Sequence, residues 1–319
     1  MRQLPVALLH PEPHVLHLPR TRLSGRGTGG VRHLRRGDGG LFPRGRVPAS
    51  GEAVEPGQEE GIRSSRPVRW RHVLIGGWQK CSFIDYPGHL SAVVFLQGCN
   101  LRCPYCHNAE LIPRGQGVLA AEEFLRFLGT RRNRLDGVVL SGGEPTLHRE
   151  LPAFMEQIRA QGFAIKLDTN GTRPDVLRQL IARELVDYVA MDLKDEPGRY
   201  PRWLGPQADP AALRRSLDIL QSSGLDHELR TTLVWPYHDP ARLDAMAPWA
   251  QGCRRWVLQA YQENTKSPRV ARFTPPPAGY VAAQATRIRE RHGILCRART
   301  EGNTITGKPG LAAMQGAAG

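Results

Sequence analysis

The sequence has no long apolar run and only six cysteines among its 319 residues, and both shortages exclude whole classes of protein. No stretch approaches the roughly 18 apolar residues that a membrane-spanning helix needs. The apolar run at 4–9 stops at His10 and Pro11, which makes it too short for the core of a secretory signal. Three of the cysteines fall within eight residues, whereas a disulfide scaffold distributes them more evenly through a small secreted chain. We therefore expect a cytoplasmic protein that does not associate with a membrane.

Acidic residues are also scarce, because 30 Asp and Glu face 44 Lys and Arg, and the formal net charge is +14. A charge of this size would by itself indicate a nucleic acid or another polyanion as partner. Half of the excess, however, lies in residues 1–72, which contain 13 Arg, no Lys and six acidic residues. The rest of the chain is only mildly basic, so we do not expect it to bind nucleic acid.

Residues 1–72 are rich in Arg, Gly, Pro and His and show no sustained hydrophobic periodicity. Such a segment cannot bury enough apolar area to offset its ordering entropy, so we predict a disordered basic extension. Two alternatives are a polyanion-binding arm and a translation start near Val73. Residues 300–319 are predicted to be a flexible tail, which leaves residues 73–299 as the folded domain.

Strands and helices are predicted to alternate through residues 73–299. The predicted strands are 90–96, 137–140, 164–167, 186–193, 228–235 and 256–260, with a short last strand at 294–297. The predicted helices are 120–129, 150–160, 174–183, 210–222, 240–250 and 281–291. This alternation is typical of an α/β fold with a parallel sheet covered by helices, and six or so units fit a partial (β/α)6 TIM-like barrel. A doubly wound sheet is the competing architecture. In a barrel the functional residues belong at the carboxyl ends of the strands.

The three clustered cysteines, Cys99, Cys103 and Cys106, directly follow the first of these strands in the spacing C-x3-C-x2-C. Thiolates on one tight loop suit an iron–sulfur cluster or zinc. In a [4Fe–4S] cluster three cysteines leave one iron open to a substrate. The alternative is a Cys3His zinc site that uses His107, although its position next to Cys106 would strain four-way ligation by this loop.

With Tyr105 before the last cysteine, the motif resembles the signature of the radical S-adenosylmethionine (SAM) superfamily. The resemblance implies a partial (β/α)6 barrel, an oxidoreductase, and one [4Fe–4S] cluster on the three cysteines with SAM on its open iron. It also implies that an electron from the cluster cleaves the sulfonium C–S bond and yields methionine and a 5′-deoxyadenosyl radical. No C-x2-C pair exists for a second cluster among Cys81, Cys253 and Cys296, so we predict a single cluster.

After the second strand come Gly142, Gly143 and Glu144. Consecutive glycines permit close approach of the backbone to a ligand, and a glutamate can pair with a cationic amine. The segment resembles the family's GGEP motif, whose backbone and glutamate bind the SAM ammonium group, and the resemblance places Tyr105 among the SAM-binding residues as well. The alternative is an ordinary βα turn.

Charged residues end the next three strands. Asp168 precedes Thr-Asn-Gly, a segment that resembles glycyl-radical activases in which this aspartate lies near SAM. Asp192 and Lys194 share one face of their strand, and a buried lysine needs an anionic partner such as the SAM carboxylate. Arg230 lies inside an apolar strand, where its guanidinium suits a carboxylate. The alternatives are an Asp192–Lys194 structural pair and an ion pair of Arg230 with Glu228 or with an acidic residue of another strand. Gln259 and Tyr261 are weaker candidates that could border the adenine.

The stretch 77–88 is predicted to form a short strand followed by a turn at Tyr86-Pro87-Gly88. With Asp85 before that turn, it resembles the opening of activating enzymes of anaerobic ribonucleoside-triphosphate reductases. The resemblance implies an activase that forms a glycyl radical on that reductase and receives electrons from a flavodoxin- or ferredoxin-type donor. Two alternatives share the chemistry: an activase of another glycyl-radical enzyme, such as pyruvate formate-lyase, and a radical SAM enzyme acting on a small molecule. A zinc-stabilised binding protein with a basic arm on nucleic acid is the rival from another class.

Overall fold

The computed structural model describes Trp70 and residues 73–115, 117–263 and 273–299. The predictions for 1–72 and 300–319 lie outside these residues, apart from Trp70. The Trp70 ring meets Phe154 edge-on, with 5.7 Å between the ring centroids. The packed part of the described chain therefore includes Trp70.

The described residues form one sheet of eight strands flanked by helices. The strands are β1 (Ile75–Ser82), β2 (Ser91–Leu96), β3 (Gly137–Gly142), β4 (Ala164–Thr169), β5 (Tyr188–Asp192), β6 (Asp226–Leu233), β7 (Trp256–Ala260) and β8 (Cys296–Arg299). The α-helices are α1 (Ala121–Gly129), α2 (Leu151–Arg159), α3 (Pro174–Ala182), α4 (Tyr200–Leu204), α5 (Pro210–Ser222), α6 (Pro240–Ala250) and α7 (Tyr280–His292).

The strands lie in the sheet in the order in which they occur along the chain, from β1 to β8. β1 runs antiparallel to β2, and every later neighbouring pair is parallel. A doubly wound sheet requires a reversal of strand order, because crossovers of one hand cover both faces only when the direction of progression changes. No reversal occurs among the described strands, and β1 and β8 remain at opposite edges. The partial-barrel prediction is confirmed and the doubly wound alternative is wrong.

The two faces of the sheet differ in character. On the outer face, apolar residues such as Val94, Leu140 and Leu167 are fully buried in the core that also contains Phe124 of α1 and Phe154 of α2. Each such side chain contributes roughly 1.5–3 kcal/mol when it is buried. The inner face carries a second, smaller apolar cluster to which β2, β3 and β5 contribute. Polar and charged side chains lie on this concave side at the carboxyl ends of β4, β5 and β6, which is where a functional site can form.

The loop between β1 and β2 closes the amino-terminal side of this concave face. Tyr86 is buried, and its ring lies 5.9 Å from that of Tyr188 on β5. The turn predicted at Tyr86-Pro87-Gly88 is present: His89 N donates to Tyr86 O at 3.0 Å, and Gly88 has a φ of +76°. This turn carries Asp85 towards the interior of the barrel.

The structure departs from the predicted elements in several places. β5 begins two residues later than predicted, and β6 and β8 are displaced by two residues. The strands predicted at 137–140 and 164–167 each continue for two residues, because their polar ends still pair with the neighbouring strands, as in Phe95 with Ser141 and Thr169 with Met191. Helix α4 was not predicted. Its five residues have little helical tendency of their own and depend on tertiary contacts such as Arg102 N to Leu204 O, at 2.8 Å.

In the part of the chain that the structure describes, no helix combines the length and the apolar composition needed to cross a membrane.

Candidate active site

A cavity of about 160 Å³ lies at the carboxyl edge of the strands and brings most of the predicted residues together. The predicted residues that line it are Cys99, Cys103, Tyr105, Cys106, Gly142, Gly143, Asp168, Asp192, Lys194, Arg230 and Gln259. The lining residues that were not among the predicted cluster or SAM ligands are Asp85, His107, Asn108, Ile112, Ser141, Thr169, Asn170 and Thr232. Glu144 and Tyr261 are the predicted residues that do not line this cavity.

The three cysteines lie on a segment that we call the cluster loop, residues 97–108. Backbone hydrogen bonds hold this loop from two directions, since Gly98 N donates to Leu111 O at 2.7 Å and Arg102 N donates to Leu204 O at 2.8 Å. Within the loop, Cys106 N donates to Cys103 O at 3.2 Å. The backbone is thus fixed before Cys99, between Cys99 and Cys103, and at Cys106 by protein contacts alone.

Burial raises the pKa of the Cys99 and Cys103 thiols to about 11 and also raises the pKa of Cys106. Without a bound metal the three groups are therefore protonated at neutral pH. Thiolates are the form that ligates iron, so binding must release these protons and gain strength as the pH rises.

The donor set fits an iron–sulfur cluster. Three soft sulfur ligands face one cavity, and soft thiolates select such clusters or zinc. Among the described residues, no group of three or more Cys, His, Asp or Glu side chains is close enough to hold a single metal ion. The Cys3His arrangement with His107 is therefore not assembled here. Thiolates around a cubane stand further apart than the ligands of one ion, because iron and sulfide lie between them.

The two glycines at the end of β3, Gly142 and Gly143, are required by close contacts with the backbone of neighbouring segments. Gly142 has a φ of +116°, and a Cβ atom there would lie 2.3 Å from Leu96 N. A Cβ atom on Gly143 would lie 2.2 Å from Gly98 O in the cluster loop. Any side chain at these positions would push β3 away from β2 and from the cluster loop. The contact of these glycines with SAM remains a prediction.

Glu144 is fully buried and acts within the protein. Its Oε1 accepts hydrogen bonds from Thr146 N at 3.1 Å, Thr146 Oγ1 at 2.6 Å and Thr169 Oγ1 at 2.8 Å, and its Oε2 accepts from Asn170 N at 2.6 Å. Burial raises the pKa of Glu144, and these hydrogen bonds only partly oppose the effect. In this arrangement Glu144 links the turn after β3 to the end of β4, and its predicted contact with SAM stays a prediction.

Opposite the cluster loop, the strand ends carry a row of alternating charges that we call the charge ladder: Lys166, Asp168, Arg230, Asp192 and Lys194. Lys166 is ion-paired with Asp168. Arg230 joins two strands, since its Nη1 lies 3.2 Å from Asp168 Oδ2 and its Nε lies 2.8 Å from Asp192 Oδ1. Lys194 Nζ lies 2.8 Å from Asp192 Oδ2. The ladder contains three cations and two carboxylates, so it suits one further anionic group.

The charges of the ladder stabilise one another. Burial alone would raise the pKa of Asp192, but Arg230 and Lys194 outweigh it and hold that pKa below its usual value. Burial opposes the charged forms of Lys194 and Arg230, yet the neighbouring carboxylates keep the pKa of both above the ordinary range. All three groups are therefore charged at neutral pH.

The structure separates the two alternatives for these charges. Arg230 pairs with acidic residues of other strands, Asp168 and Asp192, as one alternative predicted. It does not pair with Glu228, which accepts a hydrogen bond from Tyr188 OH at 2.8 Å and lies 3.3 Å from Arg299 Nη2. The Asp192–Lys194 pair does exist, within the larger ladder. Lys166 was missed because a lysine in the middle of a strand is typical of a solvent-facing position. The available signal was its spacing of two from Asp168, which places both on the inner face.

Aromatic side chains form a wall behind the cluster loop, and sequence reasoning did not find it. The Tyr105 ring lies 5.3 Å from that of Trp203 on α4, and Trp203 stacks on Tyr237 at 4.1 Å. His238 is buried beneath them, and its Nε2 lies 3.1 Å from Lys194 O while its Nδ1 accepts from Val234 N at 3.0 Å. Burial lowers the pKa of His238 to about 4, so this imidazole is neutral and donates through Nε2.

Comparison with known proteins places this geometry in a family. The model of the radical SAM superfamily matches residues 93–247. A protein of Methanocaldococcus jannaschii, named as a glycyl-radical enzyme activating enzyme, is 33% identical over 197 residues, which cover 59% of this chain and 80% of that protein. The chain belongs to the radical SAM superfamily. It is therefore an enzyme, and the cofactors of its family are a [4Fe–4S] cluster and SAM.

Two further relatives match over shorter segments. The 7-carboxy-7-deazaguanine synthase of Aquifex aeolicus is 35% identical over 82 residues, which are 26% of this chain and 36% of that enzyme. The pyruvate formate-lyase 1-activating enzyme of Escherichia coli K12 is 33% identical over 129 residues, which are 38% of this chain and 51% of that enzyme. The chain thus spans about half or less of these two relatives.

Proposed function

We propose that this protein is an activase that forms a glycyl radical on an anaerobic ribonucleoside-triphosphate reductase. The observation that carries the proposal is one cavity that combines three cysteines with a charge ladder able to take one more anion. The three cysteines suit an iron–sulfur cluster, and the charge ladder suits the carboxylate of an amino acid. The relative from M. jannaschii, named as a glycyl-radical enzyme activating enzyme, supports the class of substrate.

The choice of the reductase rests on the segment that ends in Asp85-Tyr86-Pro87-Gly88. The proposal gains support because this turn belongs to the site: Asp85 lines the cavity, and Tyr86 closes the concave face against Tyr188. Ser82 Oγ donates to Asp85 Oδ2 at 2.7 Å and fixes the carboxylate. A turn that only connected two strands would not place an acidic side chain inside the barrel.

In the proposed mechanism, Cys99, Cys103 and Cys106 would hold the [4Fe–4S] cluster. When bound, the cluster and SAM supply the reductive cleavage of the sulfonium bond and hence the radical. Lys194 and Arg230 would bind the methionyl carboxylate, because they are the ladder cations that line the cavity. Asp192 and Asp168 would hold these two cations in place through their ion pairs.

The buried aromatic side chains of the wall cover one side of the cluster loop. Tyr105 and His238 are buried, and the Tyr105 hydroxyl donates to Lys194 O at 3.4 Å. We propose that these side chains exclude water from the region between the cluster loop and the end of β5. A flavodoxin- or ferredoxin-type donor in the cytoplasm would supply the electron.

The comparisons with relatives also support two other functions. The relative from E. coli supports an activase of the pyruvate formate-lyase type, and the relative from A. aeolicus supports a radical enzyme acting on a small molecule. Neither relative matches more than 38% of this chain. The Asp85 turn favours the reductase as the first partner to test.

The test is anaerobic electron paramagnetic resonance (EPR) on the full-length protein with its cluster reconstituted. Reductant, SAM and the reductase are added, the glycyl-radical doublet is recorded, and methionine and 5′-deoxyadenosine are quantified in the same sample. Cys103→Ala removes a proposed ligand. Cys81→Ala is the matched control, because Cys81 is an exposed cysteine outside the cavity.

We expect the glycyl-radical doublet in the wild type and in Cys81→Ala, and we expect no doublet in Cys103→Ala. SAM cleavage without a doublet would contradict the reductase as partner, and pyruvate formate-lyase would then be tested in its place. No cleavage by a fully loaded cluster would contradict the activase itself.

A further inference from the structure

Three polar side chains that the proposed mechanism does not use connect the cluster loop to the end of β4. They are Asn100, which lies between the first two cysteines of the loop, and Asn170 and Thr172, which follow β4. Asn170 and Thr172 are only 5% and 8% exposed. Buried amide groups need hydrogen-bond partners, so their contacts reveal what holds them.

The three side chains form a closed hydrogen-bonded group that we call the amide clasp. Asn170 Nδ2 donates to Asn100 Oδ1 at 2.9 Å, and Asn100 Nδ2 donates to Thr172 Oγ1 at 2.8 Å. Thr172 Oγ1 donates in turn to Asn170 Oδ1 at 2.7 Å. Each amide therefore accepts through its oxygen and donates through its nitrogen, and these bonds fix the orientation of both amides.

The amide clasp touches the site at two points. Asn170 Nδ2 lies 4.0 Å from Cys99 Sγ, at the outer limit for a sulfur acceptor. The backbone N–H of Asn170 donates to the fully buried Glu144 at 2.6 Å. Asn170 is therefore held from behind by Glu144 and aims its amide at the first cysteine of the cluster loop.

A turn alone does not require this arrangement. Thr172 N donates to Asn170 Oδ1 at 3.0 Å, which is the local hydrogen bond of an Asx turn. An aspartate would supply that oxygen equally well. The Nδ2 group is the part that reaches the cluster loop, some 70 residues away in sequence. The turn and the clasp can therefore be separated by one substitution.

We propose that Asn170 is a positioning residue for the cluster, which orients Cys99 through the amide clasp and directs an N–H donor towards its sulfur. The inference rests on the cluster site put forward under the proposed function. Partners behind a metal ligand orient it, and hydrogen bonds to the sulfurs of an iron–sulfur cluster tune its reduction potential.

The test is Asn170→Asp in the full chain, because this variant keeps the oxygen for the turn and replaces the donor with a negative oxygen. Iron and sulfide per chain are measured at limiting iron, and the midpoint potential is measured by an EPR-monitored redox titration. We expect iron affinity to fall by about 10- to 100-fold. We also expect a more negative midpoint potential, because an added negative charge near Cys99 disfavours the reduced cluster.

Asn133→Asp is the matched control, since it makes the same change of charge at a residue that does not line the site cavity. Thr172→Val is the second variant if Asn170→Asp fails to fold by circular dichroism. It removes the hydroxyl that joins the two amides, adds no charge, and should lower iron affinity in the same direction.

The proposal is overturned if Asn170→Asp and Asn133→Asp have the same iron affinity and the same midpoint potential. An unchanged iron affinity in Thr172→Val would also overturn it. A failure of the proposed cluster site has a different signature. In that case Cys103→Ala would load iron as fully as the wild type, whatever residue occupies position 170.

Discussion

The two sides of the cavity hold their functional groups by different means. On the cluster-loop side the groups are neutral: protonated thiols, backbone amides, glycines and the amide clasp. On the opposite side the charge ladder joins the ends of β4, β5 and β6 through ion pairs, as in Arg230 between Asp168 and Asp192. One side depends on close backbone packing, and the other on mutual electrostatic stabilisation.

This difference has a chemical reason. A cluster needs soft ligands that can give up protons, and burial keeps the three thiols neutral although Lys194 opposes this effect at each of them. A charged amino-acid group such as that of SAM needs the reverse, namely fixed ions that cost little to reorganise when it binds. We therefore expect the two sides to fail separately when each is mutated.

The largest expected effect is loss of the cluster in Cys106→Ala. Only two cysteines of the motif would remain, so bound iron and its visible absorbance should disappear while the charge ladder stays intact. Cys253→Ala removes a half-buried thiol that contacts Gln221 instead and should load iron normally. Equal iron content in the two variants would break the assignment of the cluster-loop side.

A smaller effect is expected from Arg230→Met, which removes one of the two cations proposed to bind the SAM carboxylate and also leaves Asp168 and Asp192 without their shared cation. Removing one partner of a buried charge pair costs about 2–5 kcal/mol, so the Kd for SAM should rise by roughly 30-fold or more. Calorimetric titration of the cluster-loaded protein with SAM measures this change.

The control for Arg230→Met is Arg299→Met, which removes a guanidinium that contacts Glu228 and Gln259 on the same face. We expect a weaker effect on SAM there. If Arg230→Met lost its iron as well, the two sides of the cavity would not be independent.

The next effect concerns His238, which supports Lys194 at the end of the charge ladder. The folded protein lowers the pKa of His238 to about 4, whereas an unfolded histidine titrates near 6.5. The unfolded chain therefore binds more protons between these values, so stability is complete above pH 6.5 and falls as the pH drops. Through this group alone, the free energy of unfolding at pH 5 should be about 2 kcal/mol lower than at pH 7.

Denaturant unfolding at pH 5 and pH 7 measures this dependence in the wild type and in His238→Gln. The variant should lose less stability than the wild type on acidification. His292→Gln, at a surface histidine paired with Asp244, is the control. An identical pH dependence in His238→Gln and the wild type would show that the imidazole under Lys194 does not contribute.

The smallest expected effect is on cluster loading. Because burial raises the pKa of Cys99 and Cys103 to about 11, the rate of iron incorporation should rise by on the order of tenfold from pH 7 to pH 8. SAM affinity of the loaded protein should hardly change over this range, since Asp192, Lys194 and Arg230 are charged throughout. A pH-independent loading rate would contradict the neutral state of the thiols.

Much of this site could be predicted from local sequence. The cysteine spacing, the glycine pair and the charged strand ends each follow a buried strand, and strands of one parallel sheet end at one edge. The role of Glu144 could not be predicted, because its hydrogen bonds come from Thr169 and Asn170 on the next strand. Trp203 was missed for a similar reason, since α4 is too short to be indicated by periodicity.

The sequence by itself determined the α/β alternation, the cluster loop and the polar residues at the strand ends, because hydrophobic period and motif spacing are local properties. Tertiary structure decided which partner each polar group takes. Arg230 pairs with Asp168 and Asp192 rather than with Glu228, and Asn170 joins Asn100 rather than serving its turn alone. Those choices depend on distances between strands that only the curvature and register of the folded sheet establish.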